Sequence, residues 1–565
     1  MGEAEISPKK KKKFFKVLNK KQQIALGITS IIAIATIVTG IYLFIQLPKK
    51  NTLIVGIHGS LYGIDSIDPF KAFFQERMVV DQIAECLFVY DPLGDDFQIS
   101  PNLAINYSWN GNYTELTCSL RKNVKFHDGT EFNATAVQWN FDRICRFVNN
   151  TRNDEYFNYL HRFPDGRMIL NKTQIVDNYI IKFVLNAPYI PFRALLTHYS
   201  TSILSPTSTP HNNFTDITGN LIGTGPFILD SFEPGVEVKF SPNLNYWGTK
   251  PKIDKLIFLI FPNRKAQWEA LLAGEISMLD PFWTFGYQFN YSLDLLKNDP
   301  HITVREEGTW AHLSYIAMNT KVINITMRKA ISYAINYSYI LEKAILYNTS
   351  IRCRSPIPEG LLYSNATSIN LPYYNITIAR RTLKEAGWPG TVNLTVDDNI
   401  SLGNEWEQLV TNGTPLAIYN LTHSILDQRK NIQSSLLRNN LKQIGVQIDQ
   451  AGNVPYEHII LTGWVVDFND PVNIINLYYS NTSLYSWMTN FNDILVQQWM
   501  DEAIKDPNPD SRRQLYNKIQ NRIIEELFPC AWTYTYKNFG IYVQNLKGYN
   551  IDPFKQIKFN SYYFD

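Results

Sequence analysis

Between Ile24 and Leu47 the chain runs for 24 residues without a charged side chain, and that stretch constrains the fold and placement of everything after it. A helix of that length spans a hydrocarbon core of about 30 Å. It is longer than the apolar region of a cleaved signal peptide, about 7–15 residues, so a retained signal-anchor is expected. Eight lysines precede the span (Lys9–Lys13, Lys16, Lys20 and Lys21) and only Lys49 and Lys50 follow it closely. That asymmetry places the N-terminus in the cytoplasm. Residues 1–23 are then a short basic tail, 24–47 a transmembrane anchor, and the bulk of the chain, from about residue 50, is extracellular.

Outside residues 1–50 the chain carries 43 Lys and Arg against 49 Asp and Glu. A mildly acidic body of this size is not a partner for nucleic acid. It also holds seventeen Asn-x-Ser/Thr sequons, among them Asn106, Asn112, Asn133, Asn171, Asn290, Asn348, Asn393 and Asn481. Sequons in that number point to a glycoprotein exposed outside the cell. The five cysteines, Cys86, Cys118, Cys145, Cys353 and Cys530, include no Cys-x-x-Cys pair and no spacing suited to zinc. None follows the apolar span where a lipid-modified cysteine would sit. A helical anchor with many sequons fits an archaeal surface better than a bacterial lipoprotein.

Apolar runs and helical stripes alternate along the rest of the chain, which predicts an α/β fold. Strands are expected at Thr52–Ile57, Lys255–Phe261 and Leu313–Met318, with strand-like character from Tyr113 to Phe126 and from Cys530 to Tyr542. Helices are expected at Glu76–Val89, Ala134–Phe147, Arg328–Leu346 and Ile376–Ala386, and a last one capped by Asp510 or Ser511. His127-Asp128-Gly129-Thr130 reads as turn chemistry rather than an acid–base pair.

No enzyme motif is present: there is no Gly-x-Ser-x-Gly elbow, no His-Glu-x-x-His, no phosphate loop and no histidine cluster. The stretch Ile459–Pro471 offers binding chemistry instead. Ile459–Leu461 reads as a buried strand that Gly463 and Trp464 break, and Asp467 follows just before Asp470-Pro471. A carboxylate beside an indole is a receptor for an ammonium group, and equally a capped turn next to core.

Longer stretches carry a resemblance. Leu120-Arg121-Lys122-Asn123-Val124-Lys125-Phe126-His127-Asp128-Gly129-Thr130, Gly223-Thr224-Gly225-Pro226-Phe227, Asn245-Tyr246-Trp247-Gly248 and Ala273-Gly274-Glu275 fall in a recognisable order. They are followed by Met318-Asn319-Thr320-Lys321, Arg328 to Ile335, Glu385-Ala386-Gly387-Trp388, Leu441 to Val446 and Gly463 to Pro471. From about residue 52 to 565 the chain resembles the extracytoplasmic solute-binding proteins of ABC importers, in their oligopeptide/dipeptide/nickel-binding class. It departs from that pattern before Arg328, where a sequon at Asn324 stands, and in a polar stretch from Asp398 to Asn431.

The resemblance implies a two-lobed α/β binding protein of type II with an extra subdomain, closing on its ligand about a hinge. Lobe one would comprise 52–92, 221–311 and 531–565, the subdomain 93–220, and lobe two 312–530. It implies that the chain is not an enzyme, that it needs no cofactor or metal, and that its partners are a peptide ligand and permease subunits. In peptide-binding relatives the aspartate of the Gly-Trp-x-x-Asp motif, here Asp467, pairs with the ligand's α-amino group, with Trp464 lining the pocket. Positions that would approach the cleft are Tyr62 to Ile64, Trp283 and Phe285, and Trp310, His312 and Tyr315. Arg352 and Arg354 are candidates for a ligand carboxylate. Oligosaccharide or a nickel complex as ligand, a surface hydrolase and a signalling receptor remain the alternatives.

Overall fold

The structure is a computed structural model that describes residues 51–565 apart from 60–63, 65–66, 73, 91–97, 151–156, 210–220, 283–288, 346–348, 426, 451–457, 476–485, 553 and 555. The apolar span 24–47 lies outside the described residues, and among those described no helix is long and apolar enough to cross a membrane. The first strands in chain order are β1 (Thr52–His58), β2 (Phe88–Tyr90), β3 (Ile99–Pro101), β4 (Ala104–Trp109), β5 (Glu115–Leu120), β6 (Leu170–Asp177) and β7 (Ile180–Leu185). Next come β8 (Phe227–Glu233), β9 (Glu237–Pro242), β10 (Lys255–Phe261), β11 (Met278–Leu279), β12 (Ile302–Thr309) and β13 (His312–Met318). The last are β14 (Ser350–Arg352), β15 (Ala417–Thr422), β16 (Val446–Gln450), β17 (Ile459–Val465), β18 (Cys530–Val543) and the short pair β19 (Leu546–Lys547) and β20 (Tyr563–Phe564).

Twelve strands form one sheet in the order β16-β15-β17-β13-β18-β11-β1-β10-β9-β8, with β12 and β14 also on β18. Leu53, Val55 and Ile57 of β1 are fully buried and Ile54 nearly so. A strand covered on both faces is apolar throughout, and β1 pairs in parallel with β10 and β11. The long β18 ties the two halves of the sheet together. Over Cys530–Tyr536 it pairs with β13 and β14, and over Lys537–Val543 with β12 and β11. The chain crosses again at Trp310–Ala311, where the Trp310 N–H donates to the Tyr536 carbonyl at 2.8 Å.

A separate antiparallel sheet, β4-β5-β7-β6, is backed by the helix Ala134–Asn150. Val137, Phe141, Ile144 and Val148 repeat at helical spacing and are buried, and Phe141 meets Phe183 of β7 edge-on at 4.8 Å. Each such fully buried side chain contributes about 1.5–3 kcal/mol.

The helix expected to run from Glu76 to Val89 spans Phe74–Ile83 and stops, and Phe88–Tyr90 is a strand. Tertiary contact ends it: a Cβ on Gly223 would lie 2.2 Å from the Ile83 carbonyl oxygen, and one on Gly225 would lie 2.4 Å from that of Gln82. Only glycine lets that backbone pack so close. Beyond the helix, Glu85 is buried and accepts from the Tyr246 hydroxyl, the Trp247 indole N–H and the Thr224 hydroxyl, each at 2.8 Å. Arg121 lies 4.2 Å above the Trp247 ring, and the His127 ring nitrogen Nε2 meets the Gly225 carbonyl at 2.9 Å. Asp128 accepts from Thr130, Ser205 and Ser208, which is the turn chemistry expected.

Three other elements differ from expectation. The helix over Arg328–Leu346 is interrupted: it runs Ile325–Ala334, and Asn336, whose N–H is held by Asn440 at 3.0 Å, caps a new turn at Tyr337–Ile340. The last long helix is capped by Asn508, not Asp510 or Ser511, and Pro509 stands at its first turn. Gly463 and Trp464 do not break their strand. β17 continues through both to Val465, because Gly463 pairs with Ser314 of β13, where a Cβ would lie 3.0 Å from the His312 ring.

Candidate functional site

β17 ends at Val465, and Asp467 is the second residue beyond it. Asn473, in the short helix Val472–Ile475, organises the turn between them. Its Oδ1 accepts from the Asp467 N–H at 3.0 Å and from the Trp464 indole N–H at 3.3 Å, and its Nδ2 donates to Asp467 Oδ2 at 2.9 Å. One amide thus fixes both the carboxylate and the indole. From the turn Asn158–His161, Tyr159 donates its hydroxyl to the same Oδ2 at 2.9 Å, and its ring meets Trp464 edge-on at 5.8 Å.

Asp467 Oδ1 has no hydrogen-bond partner among the described residues. Burial pushes the carboxyl up to about 6, against the opposing pull of Asn473, Tyr159 and the more distant Arg77. The side chain nevertheless keeps some contact with solvent. Arg77, on the helix Phe74–Ile83, donates to Asp81 and to the Phe554 carbonyl and lies 4.8 Å above the Tyr199 ring. His161 and His198 are buried and neutral, since burial lowers His161 to about 3 and His198 well below its ordinary value. The Asp467 carboxylate is therefore met by an amide and a phenol hydroxyl beside an indole, and among the described residues one of its oxygens takes no hydrogen bond. Such an arrangement can hold an ammonium group.

The second aspartate of the stretch has another task. Asp470 pairs with the Arg512 guanidinium at 2.7 Å, both side chains being almost wholly buried, and its Oδ1 accepts from the Val472 N–H. The Asn469 N–H donates to the Tyr90 hydroxyl oxygen at 2.6 Å. Behind this turn Asn469 and Asp470 help line a groove of about 730 Å³ whose walls include Tyr107, Trp109, Tyr363 and Arg513.

Trp310 and His312 stack on each other with centroids 5.1 Å apart, and both are buried. They stand one strand from the Asp467 turn, since the Val466 N–H donates to the Ala311 carbonyl at 2.8 Å. Tyr315 is buried farther along β13, opposite Thr462. Ile64 is fully buried in the core. Tyr62, Trp283 and Phe285 lie outside the described residues. Arg352 lies 3.2 Å over the Tyr337 ring and donates to the Pro372 carbonyl, and Arg354 is exposed. Tyr159, Asn473, Arg77 and Tyr199 were not among the residues that sequence patterns select. Asn473, two residues past Pro471, had a local signal as the polar residue of an otherwise apolar turn; Tyr159 had none. Among the described residues no three His, Cys, Asp or Glu side chains are grouped to hold a metal.

The sequence profile of the bacterial extracellular solute-binding proteins, family 5 (middle), matches residues 98–486. The chain belongs to this family. Among curated relatives of this family 5 protein is the probable D,D-dipeptide-binding periplasmic protein of Escherichia coli, 23% identical over 82% of this chain and 84% of that one. Another is heme-binding protein A of Haemophilus influenzae, 24% identical over 81% of this chain and 82% of that one. A solved Pseudoalteromonas dipeptide-binding protein in complex with Met-Leu is similar at a TM-score of 0.71 and 20% identity, covering 91% of this chain and all of that one. HbpA2 of Haemophilus parasuis reaches 0.74 at 21% identity with the same coverage. This family 5 chain accordingly has the two-lobed α/β fold of the periplasmic-binding-protein type.

Proposed function

We propose that this protein is a membrane-anchored, extracellular receptor that captures di- or oligopeptides by their free amino terminus and delivers them to the permease of an ABC importer. The observation that carries the reading is the open Oδ1 of Asp467, with Oδ2 held by Tyr159 and Asn473. The ligands for which its relatives are named range from D,D-dipeptide and glutathione to heme, so kinship alone does not select peptide. The carboxylate of Asp467, suited to an ammonium group, supports the peptide reading. Its work is binding and release, with no chemistry on the ligand.

Lobe one is assigned to 52–92, 221–311 and 531–565, the subdomain to 93–220 and lobe two to 312–530, with the hinge at Trp310–Ala311 and within β18. Two strands crossing between the lobes allow closure with little loss of internal contact. Tyr159 reaches Asp467 from the subdomain, so the same hydrogen bond reports closure. Residues 24–47 form the anchor, with 1–23 in the cytoplasm.

Calorimetric titration of residues 51–565 with short peptides, free and N-acetylated, tests the ligand reading. Free peptides should bind and acetylated ones should lose at least tenfold in affinity. Equal binding of the two would overturn the amino-terminal receptor. Protease treatment of intact cells tests the placement: removal of the chain supports an outside location, and survival in intact cells of a chain that the same protease cleaves after lysis argues against it.

A further inference from the structure

The small sheet of the subdomain has β4 and β6 as its outer strands. Each exposes apolar side chains, Ile105 and Tyr107 on β4 and Ile175 and Val176 on β6. Gln138 covers one carbonyl of β6, that of Thr173, while Ile175–Asp177 beyond it is exposed. Apolar outer strands pair readily with another chain, and proteins blunt them with bulges, charges or a cover. Bulges are present on both, between Ala104 and Asn106 and between Leu170 and Lys172.

Each outer strand also carries one sequon, Asn106-Tyr107-Ser108 on β4 and Asn171-Lys172-Thr173 on β6, and the inner strands β5 and β7 carry none. Both asparagines are exposed and both lie at the bulges. Asn106 Oδ1 accepts from the Tyr107 N–H at 2.8 Å while its Nδ2 makes no hydrogen bond among the described residues, and neither does the side chain of Asn171. Elsewhere the buried asparagines, such as Asn140, Asn158 and Asn473, all fall outside sequons, while no sequon asparagine of described burial is buried.

We infer that Asn106 and Asn171 are N-glycosylated, and that these two glycans shield the outer strands of the subdomain sheet from pairing with another copy of the chain. The inference rests on the extracellular placement proposed above. The transfer forms a bond from Asn Nδ2 to the anomeric carbon of a lipid-phosphate-linked oligosaccharide and breaks that carbon's bond to the phosphate oxygen. The amide proton leaves with the lipid phosphate. No oxidant or reductant is needed. A bulky hydrophilic chain at each bulge keeps a second strand from approaching the exposed apolar row.

The test is glycopeptide mass spectrometry of the full-length protein purified from its own membranes, paired with protease treatment of intact cells. Fragments bearing Asn106 and Asn171 should carry sugar mass, and Ser108→Ala should remove it from the first without altering the asparagine. The double variant Asn106→Gln/Asn171→Gln should shift from monomer to larger species in sedimentation, at least several-fold more than Asn393→Gln/Asn412→Gln. Bare fragments from a protease-accessible chain would overturn this inference alone. Bare fragments from a protease-protected chain would overturn it together with the extracellular reading. Sugar at both sites with a double variant that stays monomeric would overturn the shielding role.

Discussion

Glu85 and Asp467 are both carboxylates pushed upward by burial, yet they are built in opposite ways. Glu85 is satisfied on both oxygens, by Tyr246 on one and by Thr224 and Trp247 on the other. Among the described residues, Asp467 is satisfied on Oδ2 alone. A carboxylate with three donors and no opening serves the fold, because burying an anion costs several kcal/mol unless hydrogen bonds offset it. One with an oxygen that takes no hydrogen bond among the described residues has that cost only partly offset, which suits the ligand contact proposed for it. The stretches that carry the family resemblance around Arg121, Gly223 and Tyr246 converge on Glu85 and not on Asp467. The conspicuous motifs of this chain are therefore mostly scaffold.

The contrast can be broken by removing each carboxylate in turn. Glu85→Ala should cost about 3–5 kcal/mol of stability, since it strands three buried donors, while ligand affinity of the folded fraction stays within a few-fold. Chemical denaturation alongside calorimetric titration checks both halves, and a large loss of affinity in folded protein would erase the distinction. Asp467→Ala should do the reverse, weakening peptide binding by about 2–5 kcal/mol with little change in unfolding midpoint. Unchanged peptide affinity in that variant would remove Asp467 from the site.

Smaller effects sharpen the comparison. Tyr159→Phe deletes one of the two donors to Oδ2 and should weaken binding by about 1–2 kcal/mol while raising the Asp467 carboxyl above about 6. An affinity equal to the parent's would make Tyr159 a bystander. Lowering the pH from 7 to 5 should protonate Asp467 through about 6 and reduce affinity roughly tenfold. The stability effect has the opposite sign. Between pH 4 and 6 the folded Asp467 keeps a proton that the unfolded chain has released. Its favourable contribution is complete below pH 4 and is lost as pH rises through about 6. Asp467→Asn should flatten that part of the stability profile, and an unchanged slope would assign it to another group.

Much of the fold was legible because it follows from local rules. Lys255–Phe261 is an apolar run flanked by turn residues, and it is a strand with those bounds. Gly445 ends its helical stripe with a φ of 71°, as a C-terminal glycine should. The misread elements fail for one shared reason. The helix ending at Ile83, the interruption at Asn336 and the strand continuing through Gly463 are each decided by a partner far away in sequence: Gly223, Asn440 and Ser314. Propensity yields to such contacts when they satisfy buried backbone groups.

The site divides in the same way. Sequence alone determined that a carboxylate and an indole stand three residues apart after an apolar run, and it determined the charge-free span and the sequons. Periodicity, charge count and motif order are properties of neighbours along the chain. It could not determine that Tyr159, 308 positions earlier, closes on Asp467, or that Asn473 holds carboxylate and indole together. Nor could it separate Asp467 from Asp470, which differ by three positions and take opposite roles, one open and one locked to Arg512. Only the tertiary structure decides those points, because a carboxylate's chemistry depends on the solvent it has lost and the donors that surround it in space, and neither is ordered by sequence.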